Sequence, residues 1–170
     1  MRAFRLPSRE GTRRPNPHRR ATAAFVAGVC AIAGATHYFR EVREHQLVHA
    51  RHLVWEGRFE EALETASTAD RWPSTARPGR VDLVRARALE GLGDLDAAIA
   101  SYRRAVEADP TNFRALAGLA AACAKSADSA RWSLAVSLRS RLSHEFGGHP
   151  GLAGALRRID LLLLQRQRTG

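Results

Sequence analysis

The chain has 170 residues, of which 45% are apolar, so it is long enough for one domain with a buried core and a short appendage. Its formal net charge of +10 is concentrated at the start, where residues 1–20 hold seven arginines and one acidic residue, Glu10. Residues 40–170 hold 20 basic and 16 acidic residues. This larger part is only mildly basic, which argues against nucleic acid as a partner.

Residues 1–20 are predicted to form a basic tail, because Pro7, Pro15 and Pro17 interrupt any helix and few apolar residues are present to be buried. Residues 21–39 contain no Asp, Glu, Lys or Arg. As a helix they would be about 28 Å long, close to the roughly 30 Å thickness of the hydrocarbon layer of a bilayer. The sequence therefore predicts a transmembrane helix at 21–39, with the lipid bilayer as one partner.

The flanking charges predict the orientation of this helix. The seven arginines before it outnumber Arg40 and Arg43 after it, which favours an N-terminus in the cytoplasm. In a bacterium, residues 40–170 would then lie in the periplasm, anchored to the inner membrane. Two alternatives stay open: a signal peptide cleaved after Ala35, where an A-x-A motif ends, and an arginine-rich mitochondrial presequence.

Small residues recur every three or four positions through the predicted span and form a narrow stripe on one side of the helix. Such stripes allow two helices to approach closely in lipid. The stripe predicts lateral packing against a membrane partner. Its members are Ala24, Ala27, Gly28, Ala31 and Ala35.

An internal repeat follows the predicted span. The segment that begins at Gly57 aligns with the segment that begins at Gly93, an offset of 36 residues. Features that recur in register across two helices and the turn between them indicate a repeated helical hairpin. The same offset pairs three further positions, namely Ala50 with Ala86, Leu53 with Leu89, and Ala69 with Ala105.

The second copy of this unit resembles the tetratricopeptide repeat, most closely over residues 97–110. The resemblance implies an all-α solenoid over residues 40–170. It would consist of three helical hairpins at about 43–78, 79–112 and 113–150 and a capping helix at 151–166. The positions that carry the resemblance are Ala50, Leu53, Gly57, Ala62, Ala69, Ala86, Leu89, Gly93, Ala98, Tyr102, Ala105 and Pro110.

The resemblance also implies a function. Such arrays bind a peptide or helix of another protein in the groove lined by their first helices, and they are not enzymes and carry no cofactor or small-molecule substrate. The favoured hypothesis is an accessory or scaffold subunit, or an assembly factor, of a larger membrane protein complex for energy conversion, secretion or envelope assembly. The alternative is a free-standing periplasmic peptide-binding adaptor or chaperone-like module.

Several residues are candidate partner contacts. Three histidines at helical spacing share one face of the first repeat helix, and because imidazoles also bind Zn or Cu, a metal-binding protein is a minor alternative. Basic residues of the groove and two leucines on the outer face of the last helix complete the set. The candidates are His45, His49, His52, Arg51, Arg87, Lys125, Leu161 and Leu164.

Cysteines and tryptophans are predicted to be structural. Cys30 falls in the predicted span and Cys123 in a core helix, so the two thiols cannot form a disulfide or share a metal. Trp55, Trp72 and Trp132 fall near helix ends and loops, and packing is the favoured interpretation for all three.

Overall fold

The computed structural model describes residues 17–71 and 79–169, except for the side chains at 17–24, 27 and 169. These two ranges contain only helices and the turns between them. The helices are α1 (Pro17–Trp55), α2 (Phe59–Asp70), α3 (Arg80–Leu92), α4 (Leu95–Ala108), α5 (Phe113–Lys125), α6 (Ser129–Glu145) and α7 (Leu152–Thr169). The chain divides into two compact units, residues 1–38 and residues 39–170.

The first unit corrects the prediction of a transmembrane helix at 21–39. Within the described ranges, no helix combines the length and the apolar character that crossing a membrane requires. The side chains at 21–24 and 27, which belong to the predicted span, lie outside the description.

The predicted inner-membrane location, with a cytoplasmic N-terminus and a periplasmic repeat domain, is therefore wrong as well. Residues 21–39 lack charge but also lack apolar area, because alanine and glycine make up much of the segment and gain little free energy from leaving water.

The small-residue stripe lies on the same part of α1. Gly28, Ala31 and Ala35 are exposed there, and the side chains of Ala24 and Ala27 lie outside the description. Packing in lipid requires a membrane-spanning helix, and none of the described helices meets that requirement.

The turns of the second unit follow from local chemistry. Gly57 and Gly93 have φ angles of +79° and +84°, a left-handed conformation that other residues rarely adopt. Gly93 ends α3, and Asp94 directly after it accepts a hydrogen bond from the Ala97 backbone N–H at 3.1 Å. Asn112 caps α5 in the same way. These caps satisfy N–H groups that a helix start leaves without a partner.

Completely buried alanines lie where the helices of the second unit cross. Leu47 and Ala50 of α1 pack with residues of α2 and α3 in one cluster, and Ala88 of α3 packs with α1 and α2 in another. A larger cluster joins α3, α4, α5, α6 and α7. The repeat-equivalent alanines are all fully buried, namely Ala50, Ala62, Ala69, Ala86, Ala98 and Ala105.

Helix α7 closes the far end of the array. It contacts α5 and α6, and Ile159 and Leu163 of its inner face join the large core cluster. The described helices thus form an all-α array consistent with a tetratricopeptide-type solenoid. The exact limits of the three predicted repeats stay predictions, since residues 72–78 between α2 and α3 lie outside the description.

Tyr102 and Gly118 fix the distance between α4 and α5. The Tyr102 ring is almost fully buried, and a Cβ at position 118 would lie 2.3 Å from its Cε1 atom. Atoms that approach so closely must move apart, and the buried ring has little room to do so. Only glycine fits this position without displacing α4 or α5.

We expect Gly118→Ala to destabilise the protein by about 1–3 kcal/mol, because one methyl group overfills a packed crossing. The matched control is Gly154→Ala on α7, where nothing lies within 4 Å of the added Cβ. The control should be neutral or stabilise by up to about 1 kcal/mol through its helix propensity. Urea denaturation followed by circular dichroism measures both, and equal stabilities for the two variants would contradict the packing argument.

Candidate functional site

The first helices of the array share one surface, here called the first-helix groove. It is lined by α1, α3 and α5, with α7 at its far end. Three cavities lie along it, of about 590, 480 and 300 Å³. Arg87 of α3 lines all three, so this side chain lies at the centre of the groove.

The end of the groove nearest α1 combines apolar and basic side chains. Val48, Val54, Trp55 and Val84 line the 590 Å³ cavity together with Arg51, His52 and Arg87. Trp55 is 84% exposed and Val48 is 57% exposed. The prediction that Trp55 is a packing residue is therefore wrong. Trp132 does pack against the core, and Trp72 lies outside the described residues.

At the other end of the groove, one carboxylate joins four helices. Glu90 of α3 accepts hydrogen bonds from the Tyr102 hydroxyl of α4 at 2.9 Å and the Lys125 ammonium of α5 at 2.7 Å. Arg158 of α7 donates a third at 3.0 Å. The Glu90 side chain is only 14% exposed, so these partners replace most of its water. We call this set the Glu90 cluster.

The Glu90 cluster changes the acid–base behaviour of its members. Burial acts to raise the pKa of Glu90, but the hydrogen bonds from Lys125 and Tyr102 and the nearby positive charges outweigh it and hold the pKa below its ordinary value. Burial, together with the charge of Glu90, raises the pKa of Tyr102. The carboxylate is therefore ionised and the phenol neutral at pH 7.

The predicted basic contacts divide into two groups. Arg51 and Arg87 line the groove and make no salt bridge with a described acidic residue. Lys125 is engaged by Glu90 instead. Arg114 of α5, which sequence reasoning missed, also lines the groove without such a partner. Arg114 follows the helix cap Asn112 by two residues and occupies none of the repeat-signature positions. The sequence therefore did not indicate that Arg114 lines the groove.

The three histidines lie exposed along α1. The His52 Nδ1 atom is 3.3 Å from the Glu56 carboxylate. In the part of the chain that the structure describes, no group of three or more His, Cys, Asp or Glu side chains could hold a metal ion. The metal-binding alternative gains no support.

Leu161 and Leu164 form a second exposed patch, on the outer face of α7, where they are 58% and 53% exposed. A shallow cavity beside them is lined by Gly154 and Arg157 among others. Cys30 is exposed and Cys123 is buried, and both thiols are free. Burial raises the pKa of Cys123, which makes this thiol unreactive.

The comparison with known families agrees with this geometry. Residues 88–126, from the end of α3 through α4 to the last turn of α5, match a family model described as a TPR repeat. This match supports the resemblance to the tetratricopeptide repeats over the central part of the array. The class of protein defined by the fold and the groove is a helical-repeat protein-interaction module. No curated protein matches the chain.

We expect Glu90→Gln to destabilise the protein by about 1–3 kcal/mol at pH 7, since it leaves Lys125 and Arg158 without their counter-charge. The pKa of Glu90 is lower in the folded state than in the unfolded state, so the Glu90 carboxylate stabilises the fold fully above the unfolded-state pKa. This stabilisation disappears as the pH falls through the folded-state pKa. The stability difference between wild type and variant should therefore shrink in acid. Urea denaturation at pH 7 and at progressively lower pH measures it.

Glu61→Gln is the control for this experiment, because Glu61 pairs with Arg58 on an exposed surface. Water screens that pair, and its loss should change stability far less. If the two variants were equally stable, the Glu90 cluster would not be holding the helices together.

Proposed function

We propose that this chain is a protein-interaction module that holds a segment of a partner protein in the first-helix groove. The observation that carries the proposal is the exposure of Trp55 and Val48 beside the 590 Å³ cavity. A large aromatic residue beside a concave apolar surface is the usual composition of a binding hot spot. The TPR repeat match at 88–126 supports the same class of function.

The size of the groove favours a dedicated partner. Three first helices offer a short surface, and it ends at α7, which packs against α5 and α6. A short groove suits one specific segment better than a wide range of clients. We therefore propose an accessory or scaffold subunit, or an assembly factor, of a larger protein complex.

A second candidate is a free-standing peptide-binding adaptor or chaperone-like module. Arg51 and Arg87, which line the groove without a described acidic partner, favour this candidate. Lys125 was predicted to be a third basic contact in the groove, but its ammonium group donates a hydrogen bond to Glu90 and is engaged within the protein. The stoichiometry of the bound partner distinguishes the two candidates, since a subunit co-purifies in a fixed ratio and an adaptor does not.

We propose no catalytic role for the groove. Its acidic groups are committed to structural contacts: Glu90 joins the Glu90 cluster, and Asp109 accepts hydrogen bonds from the Thr111 backbone and side chain. TPR repeats are in general interaction modules rather than catalysts, which supports the proposal.

We expect the double variant Val48→Asp/Trp55→Ala to lose its partner, because a hot-spot aromatic contributes about 2 kcal/mol or more to binding, roughly a thirtyfold change in affinity. Both side chains are mostly exposed, so the fold should survive, and circular dichroism checks this. The measurement is the ratio of cross-linked partner to full-length tagged protein in cells that express each variant.

The matched control is Leu161→Asp/Leu164→Ala, which alters the exposed patch on α7 in the same way. We expect this variant to keep the partner. Loss of the partner in the control alone would move the interface to α7. Retention by both variants would exclude the groove as the binding surface.

A further inference from the structure

The charge distribution of the groove specifies the chemistry of its occupant. Arg51 of α1, Arg87 of α3 and Arg114 of α5 come from three successive first helices and line the same surface. None of the three forms a salt bridge with a described acidic residue. The stretches outside the description hold one acidic residue, Glu10.

The acidic groups near these arginines are already engaged. Glu44 is paired with Arg80 across α1 and α3. The Glu90 carboxylate binds both Lys125 and Arg158. The Asp109 carboxylate accepts a hydrogen bond from the Thr111 hydroxyl in the same turn. The groove therefore has an excess of positive charge that its own residues do not neutralise. A guanidinium in a partly apolar cleft is stabilised by a carboxylate, with which it can form two parallel hydrogen bonds.

Apolar side chains lie between and beside the arginines. Trp55 and Val84 share a cavity with Arg51 and Arg87, and Phe113 lies next to Arg114 in the two other cavities. An occupant that fits this surface carries both negative charge and apolar side chains. A protein segment has both, whereas a small inorganic anion has only the charge.

The helix behind the first part of the groove, α2, argues against nucleic acid at that end. Helix α2 packs behind α1 and α3 and contains four acidic residues and no basic residue: Glu60, Glu61, Glu64 and Asp70. Nucleic acid binding relies on contacts from several basic residues to consecutive phosphates over an extended surface. Three arginines in a short groove, separated by apolar side chains, fit a short acidic peptide better.

We propose that the first-helix groove binds a negatively charged, partly apolar segment of the partner, with carboxylates against Arg51, Arg87 and Arg114 and an apolar side chain beside Trp55. This inference rests on the proposed function and specifies its ligand. Because the three arginines lie on different helices, the segment runs across the array rather than along a single helix.

The experiment is a selection from a display library of random peptides of about 12 residues, a length that covers a groove of this kind. The baits are the full-length protein, the groove variant Arg51→Gln/Arg87→Gln/Arg114→Gln, and a control with the same charge change. The control is Arg71→Gln/Arg103→Gln/Arg168→Gln, whose arginines are exposed outside the groove. Circular dichroism verifies that all three baits are folded.

We expect the wild type and the control to enrich peptides that combine Asp and Glu with an aliphatic or aromatic residue. A synthetic peptide from this selection should bind the groove variant at least about tenfold more weakly than the control, because charge-assisted hydrogen bonds are lost. The affinity for the wild type should also fall as salt concentration rises.

Enrichment of neutral or basic peptides would overturn the inference and leave the proposed function standing. Failure to enrich any peptide on the wild type would count against both. A fluorescent random-sequence oligonucleotide is measured in the same buffer. Oligonucleotide binding that is tighter than binding of the selected peptide and is lost in the groove variant would overturn the inference in favour of nucleic acid.

Discussion

Close approach of the helices is the constraint on which the rest of the structure depends. Fully buried alanines at the repeat-equivalent positions let consecutive helices touch, and Gly118 lets α5 approach the Tyr102 ring. Because such small residues fill the crossings, each hairpin has little core of its own and is stabilised by its neighbours. The regular spacing of the first helices, and with it the continuous groove, follows from this packing.

The Glu90 cluster constrains the positions of the helices through hydrogen bonds, in addition to the close packing of small apolar residues. A carboxylate from α3 with hydrogen-bond partners on α4, α5 and α7 holds the capping helix in place and borders the groove at the same time. Its positive partners are neutralised by Glu90. Arg51, Arg87 and Arg114, which line the same groove, have no comparable counter-charge among the described residues.

The sequence predicted most of the helices, and among the residues that line the groove it indicated Arg51 and Arg87 but not Arg114 or Trp55. Repeat spacing, the Gly93–Asp94 turn and the alanines at the crossings indicated a helical array because these signals are local and recur. The transmembrane helix at 21–39 was wrong because a lack of charge is not the same as sufficient apolar area. Trp55 was misjudged because large aromatics near helix ends usually pack, and nothing in its neighbourhood signals exposure.

The sequence by itself determined the helices, their turns and the small residues at their crossings, since each depends on residues within one or two turns of chain. Only the tertiary structure decided which basic side chains are paired within the protein and which stay available to a partner. Lys125 and Arg158 are bound by Glu90, from which Arg158 is 68 residues away, while Arg51, Arg87 and Arg114 meet no described counter-charge. Electrostatic pairing between helices depends on distance in space, and no spacing in the sequence encodes it.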